Sequence, residues 1–247
     1  MQLRRITAIT LIGALSLLAV GCFNPFSPLV SVDRGVSSPA PVPNSPSNCI
    51  RLFEWCYNNR AIDEYRELFT DDYTFKFAAG DSAGQNRDRP QDREEELAIA
   101  ENLFVGSSDR PPASRIVLDF DKNLIPFPDT RPGMNGKWHK TVRTTVNLKV
   151  EIGDGSILDV TGFALFYLVR GDSARIPTDL PGATNDSTRW WISGWDDETI
   201  PPSGLAQSRS VPVVGAARLP RSTRSADLTP LPVSWGFMKA LFGPPRR

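Results

Sequence analysis

The spacing of hydrophobic positions changes once along this chain. Up to about residue 104 apolar side chains recur every three or four residues; beyond residue 115 they alternate with polar ones. Ser45-Pro46 reads as a helix cap followed by a first-turn proline. Ile50, Phe53 and Tyr57, flanked by Cys49, Leu52 and Cys56, then predict an amphipathic helix to about Asn58. Asn58-Asn59 suits a left-handed helix end, and a second short helix follows with Ile62, Tyr65 and Phe69 inward. Asp71 to Phe77 alternates as a half-buried strand, 79–91 reads as a loop, and Arg93 to Phe104 is a third helix with acids in its first turn. Strands are then predicted from Ile116 to Phe120, Lys137 to Ile152, Ile157 to Arg170 and Thr188 to Trp195. Gly153-Asp154-Gly155-Ser156 makes the hairpin between the second and third. Gly162 marks a bend in a strand apolar on both faces, hence central. A loop at 171–187 precedes the last strand.

The ends read differently. Arg4 and Arg5 precede an apolar run, Ile6 to Val20, of roughly 15 residues, short of the about 20 that span a bilayer. The run ends in Leu18-Ala19-Val20-Gly21-Cys22, which resembles the lipobox of bacterial lipoproteins, although Ala19 stands where that family usually has Leu. The resemblance implies cleavage before Cys22 and acylation there, with more than one chain for stable anchoring. Phe23 stands where an aspartate would favour inner-membrane retention, so the expected location is the cell envelope. In a Gram-negative cell this means the periplasmic face of the outer membrane. Pro and Ser dominate 22–47, which reads as a tether. The segment 199–247, rich in Pro, Ser and Arg, reads as a disordered tail. One run within it, Trp235 to Phe242, could form a helical turn that docks on a partner or on anionic lipid.

The order helix, helix, strand, helix and then antiparallel strands resembles the nuclear-transport-factor-2-like fold, the α+β cone shared by ketosteroid isomerases, scytalone dehydratases and SnoaL-type polyketide cyclases. The resemblance is carried by Leu52 to Arg60, by Tyr65 to Phe75, and by Trp190-Trp191-Ile192-Ser193-Gly194-Trp195-Asp196-Asp197. It covers residues 48–198 and implies three helices packed on a curved, mainly antiparallel sheet. The organisation expected is thus a signal peptide at 1–21, a tether at 22–47, the domain at 48–198 and the tail at 199–247. The resemblance also implies an apolar pocket, in which enzymes of the superfamily place a carboxylate base or an Asp/His pair, and a homodimer joined through the sheet.

Candidate chemistry is sparse. His139, the single histidine, shares its strand parity with Arg143, Asn147 and Lys149, so it is expected to face water. Asp196, at a strand end, is the best carboxylate candidate, with Tyr57 as a hydroxyl donor. Asp71 and Asp72 suit a turn, and Asp119 a solvated face. Tyr57, Tyr65, Phe75, Trp190, Trp191 and Trp195 could line a pocket or an interface, against the plainer reading of core packing. Cys49 and Cys56, seven residues apart on one helix, are separated by about 10 Å along its axis, too far for a disulfide, and read as buried thiols. One histidine and three cysteines argue against a zinc site, and no cofactor is expected.

Charge alters this picture only in its distribution. The 247 residues carry 28 basic and 28 acidic groups, but 48–203 holds 18 and 26, and 204–247 holds 7 and 1. The neutral total argues against nucleic-acid binding. The reading reached is a lipid-anchored envelope protein with a non-catalytic domain for a small molecule or an envelope protein. The alternatives are a small isomerase, dehydratase or cyclase, and a structural module whose pocket is filled by its own aromatics.

Overall fold

A computed structural model of the chain describes residues 38–81, 90–170, 188–199 and 229–243. From Pro39 onward the described residues belong to one compact unit; of the preceding unit, Met1–Ser38, only Ser38 is described. The expected signal segment, Cys22 and the loop at 171–187 lie outside the described residues.

Helix α1 spans Pro46–Asn59, with the Ser45 hydroxyl accepting from the Asn48 N–H at 3.1 Å. It ends at Arg60, not at the asparagines: Arg60 takes φ 55°, and its N–H reaches the carbonyls at the end of the helix. Helix α2 is a single turn, Ile62–Arg66, and strand β1, Phe69–Lys76, starts two residues earlier than the pattern predicts. A two-residue strand β2, Gln91–Asp92, leads into α3, Arg93–Phe104, where the Asp92 side chain accepts from the Glu95 N–H at 3.0 Å. The remaining strands are β3 (Arg115–Phe120), β4 (Pro126–Pro128), β5 (His139–Glu151), β6 (Ile157–Arg170), β7 (Trp190–Thr199) and β8 (Leu231–Pro232). A fourth helix, α4, spans Trp235–Phe242.

Among the described residues the strands form one sheet, in the order β2-β1-β7-β6-β5-β3, with β4 beside β5 and β8 beside β6. Pairing is antiparallel except for β1 with β7 and β6 with β8. The result is an α+β cone: helices cover the concave face of a curved, mixed sheet. Parity sets the two faces. Val142, Val146, Leu148 and Val150 of β5 are buried, while Arg143, Thr145, Asn147 and Lys149 point outward. Gly162, at φ 140°, sits opposite Val146 and Thr199 in the central strand β6, where a side chain would strain the backbone.

Two expected boundaries move. The expected tether, 22–47, already contributes to the unit at Pro43, whose carbonyl accepts from the Trp190 N–H at 2.8 Å, and at Pro46 and Ser47 in α1. The expected tail, 199–247, contains α4, and α4 lies in the cone. Trp235 and Met238 are fully buried and Phe242 is 1% exposed. The physical reason is spacing: Trp235, Met238, Lys239 and Phe242 stand at i, i+3, i+4 and i+7, one face of a helix.

Candidate functional site

The cone interior is aromatic. Phe53 of α1 stands at its centre, with ring centroids 5.0 Å from Tyr57, 5.4 Å from Phe166 and 5.4 Å from Trp195. Trp235 completes the set at 4.4 Å from Trp195, edge to face, and 5.6 Å from Tyr57. Such contacts contribute about 0.5–1.5 kcal/mol each beyond area burial.

Helix α4 is fixed there at both ends. The Asp197 carboxylate, inward on β7, accepts from the Gly236 N–H at 3.0 Å, and the Thr199 hydroxyl accepts from the Trp235 N–H at 2.9 Å. Ser234 caps the helix by accepting from the Phe237 N–H at 3.0 Å, while its own hydroxyl donates to Asp81 at 2.5 Å. At the far end the Asn102 amide donates to the Phe242 carbonyl at 2.9 Å. Gly236 lies against Phe77 so closely that a Cβ would come within 2.5 Å of that ring.

Beneath α4 a polar cluster is sealed from water. Glu96, in the first turn of α3 and 0% exposed, accepts from the Tyr65 hydroxyl at 2.7 Å on Oε1. On Oε2 it accepts from the Gln91 amide at 2.7 Å and the Tyr73 hydroxyl at 3.2 Å. Lys239 of α4, 1% exposed, completes the set with an ammonium–carboxylate contact to Oε2. Its Nζ lies 3.4 Å from the centroid of the Phe75 ring and 3.9 Å from that of Trp195, rings that β1 and β7 bring side by side in register. Burial, with Glu96 beside them, raises the Tyr65 and Tyr73 hydroxyls well above the usual tyrosine range, so both stay protonated donors. Tyr57 moves the same way, first through burial and then through Glu96. Asp197 is also raised, because burial outweighs its hydrogen bonds to Thr199 and Gly236 and the nearby Lys239.

Of the expected site residues, Tyr57, Tyr65, Phe75 and Trp195 converge in this interior. Trp190, 5% exposed, belongs to the same core, with the Arg170 guanidinium 5.4 Å from its ring. Trp191 is buried outside that core, with Arg189 4.5 Å from its ring. The expected partnership of Asp196 with Tyr57 does not form. Asp196 lies between the inward Trp195 and Asp197, so strand alternation turns it to the outer face. There it accepts from the Tyr167 hydroxyl at 3.1 Å and faces Lys76 at 3.9 Å. Tyr167 is pushed up to about 12 by burial and by Asp196. Arg131 stacks on its ring at 3.6 Å and pairs with Asp129 at 2.7 Å. Although burial works against it, Asp129 is held below the usual carboxylate range by Arg131. A depression of about 260 Å³ beside this cluster is lined by Lys76, Phe77, Ala79, Asp196, Asp197 and Glu198.

His139 is half-buried instead of facing open water: its Nδ1 accepts from the Asn135 N–H at 3.1 Å, and its Nε2 is enclosed. Asp71, Asp72 and Asp119 are exposed on their strands. Cys49 and Cys56 are free, buried thiols; burial pushes Cys49 up to about 12 and raises Cys56 further. Among the described residues no three His, Cys, Asp or Glu side chains gather as metal ligands would, and no helix is long and apolar enough to cross a membrane.

Sequence reasoning missed Glu96 and Lys239. The available signal was the same for both, a charged residue at core spacing: Glu96 with Ala100 and Leu103, and Lys239 with Trp235 and Phe242.

No family model matches the chain, and no curated protein matches it. Several solved structures are similar to it. A conserved protein from Planctomyces limnophilus has 15% identity over 62% of this chain and 92% of its own, with a TM-score of 0.41. A nuclear transport factor 2-like superfamily protein from Salmonella enterica has 14% identity over 64% and 91%, with a TM-score of 0.39. A hexachlorocyclohexane dehydrochlorinase from Novosphingobium barchaimii has 10% identity over 62% and 84%, with a TM-score of 0.37.

Proposed function

We propose that this chain is a lipid-anchored cell-envelope module, joined to the membrane through Cys22, whose cone is filled by its own C-terminal helix and carries no catalysis. The observation behind this reading is α4: Trp235, Met238, Lys239 and Phe242 occupy the interior in which a substrate would lie. Contacts with an envelope partner then fall to the outer surface. Two measurements test this reading. Trp235→Ala should open a cavity that a small aromatic such as indole refills, raising the melting temperature of the variant and not of the parent protein. Equal stabilisation of the parent would overturn the filled-cone reading. Labelled palmitate should enter the parent chain and be lost in Cys22→Ser; label retained in that variant would overturn the anchor.

A second reading rests on Glu96. One carboxylate facing two phenols is equipment for proton transfer beside a carbonyl, and it would serve an isomerase, dehydratase or cyclase if α4 left the cone. Turnover of a substrate that disappears in Glu96→Gln with the fold intact would establish that reading over the first.

A further inference from the structure

Seating α4 does not require a charge. A buried ion pair is commonly no better than hydrocarbon of the same volume, because both ions lose their hydration. Trp235, Met238 and Phe242 already supply the apolar face. Yet Lys239 and Glu96, 1% and 0% exposed in their side chains, meet inside the cone. Their surroundings are arranged about the two carboxylate oxygens unequally. Oε1 has one donor, the Tyr65 hydroxyl at 2.7 Å. Oε2 has the Gln91 amide, the Tyr73 hydroxyl and the Lys239 ammonium.

We propose that Lys239 and Glu96 condense into a side-chain amide, an isopeptide bond that staples α4 to α3. The unequal donors fit the step. The ammonium passes one proton to Oε2, leaving a neutral amine beside a carboxylic acid. The amine lone pair attacks Cδ, the N–C bond forms, and the carbonyl electron pair moves onto Oε1, where the Tyr65 hydroxyl stabilises it. A second proton passes from nitrogen to Oε2, the Cδ–Oε2 bond breaks, and Oε2 leaves as water while the pair on Oε1 restores the carbonyl. One ammonium and one carboxylate give one amide and one water, with nothing oxidised or reduced and no co-reactant consumed. In open water the separated ions are favoured. Here the fold holds the amine and the carboxyl group in contact, which removes the cost of bringing them together, and the product removes both buried charges. The Phe75 and Trp195 rings lie 3.4 and 3.9 Å from Nζ and pack the nitrogen beside Glu96.

The proposal rests on α4 being seated in the cone, and its test separates the two. The full chain is denatured, digested and examined by mass spectrometry. The expected result is a branched peptide joining the segment that holds Glu96 to the one that holds Lys239, lighter than their sum by one water, about 18 Da. It should be absent from Lys239→Met and from Glu96→Leu. Two linear, unmodified peptides from the folded parent protein overturn the amide. Hydrogen exchange at 235–242 then shows which idea failed. Protected amides mean that α4 is seated by an ion pair alone; unprotected amides mean that the seating itself is wrong.

Discussion

The cluster around Glu96 and the cluster around Asp196 are built from the same parts: a carboxylate, a tyrosine hydroxyl, a cation and aromatic rings. They differ in water. Glu96 and Lys239 are sealed inside the cone, whereas Asp196 is about a quarter exposed and Lys76 about three quarters. At the outer face solvent screens Asp196 and Lys76, so their contact is worth little and tolerates loss. Inside, water is excluded, so each charge depends on the protein groups around it, and chiefly on the opposite charge. Placement relative to the sheet, and not residue type, separates a structural commitment from a surface decoration.

Removing one member of the inner pair should therefore produce the largest effect. Glu96→Ala or Lys239→Ala should cost about 3–5 kcal/mol in urea unfolding, whereas Lys76→Ala costs about 1 kcal/mol or less. If the pair is ionic, the double variant Glu96→Leu with Lys239→Met should recover much of that loss; if it is the proposed amide, the loss should persist, because the crosslink between α3 and α4 goes with it. Equal losses at the two sites would erase the contrast. Trp235→Ala should cost about 3–5 kcal/mol, as large-to-small changes in a packed core do. Gly236→Ala drives a methyl into the Phe77 ring and against the Asp81 carboxylate, and should cost about 1–3 kcal/mol in the same assay.

Titration sharpens the comparison further. Tyr65 and Tyr73 are raised in the folded state, so above about pH 10 the unfolded chain releases phenolic protons first and stability falls as pH rises. Tyrosine absorbance should then rise together with unfolding, and Tyr167, up at about 12, should lag behind an ordinary exposed tyrosine. At acid pH the two regions act in opposite directions. Asp129 is lowered, so its contribution is present above the unfolded carboxylate range and lost as pH falls through its folded value. Asp197 is raised, so its cost is relieved as pH falls through its own folded value. Asp129→Asn should flatten the acid loss measured by thermal unfolding, and Asp197→Asn should steepen it. The smallest effect expected is at Cys49 and Cys56, which should resist a thiol reagent until the protein unfolds.

Much of the sheet is legible in the sequence because strand parity is a local signal. β6 has the bounds that its pattern predicts, and the inward face of β5 can be read residue by residue. α3 is equally plain in extent, but its rotation is not. Three successive acids in its first turn satisfy the helix dipole whichever of them points inward, so nothing local marks Glu96. α4 is hidden for a different reason: its face has helical spacing, but the Pro- and Arg-rich residues before it give no hint that the chain returns to the cone. The face of Asp196 is hidden because the pattern predicts a strand end at Trp195, whereas β7 continues to Thr199 and alternation turns Asp196 outward between Trp195 and Asp197.

The position of α4 also bears on how the protein is made. The helix is synthesised after every element it packs against, so until it emerges Glu96 keeps its tyrosine and glutamine donors but lacks a cation, and the cone holds an aromatic hollow. That intermediate is sticky, since exposed apolar surface promotes association before folding finishes. A copy halted after β7 therefore presents an open aromatic core that only α4 can close.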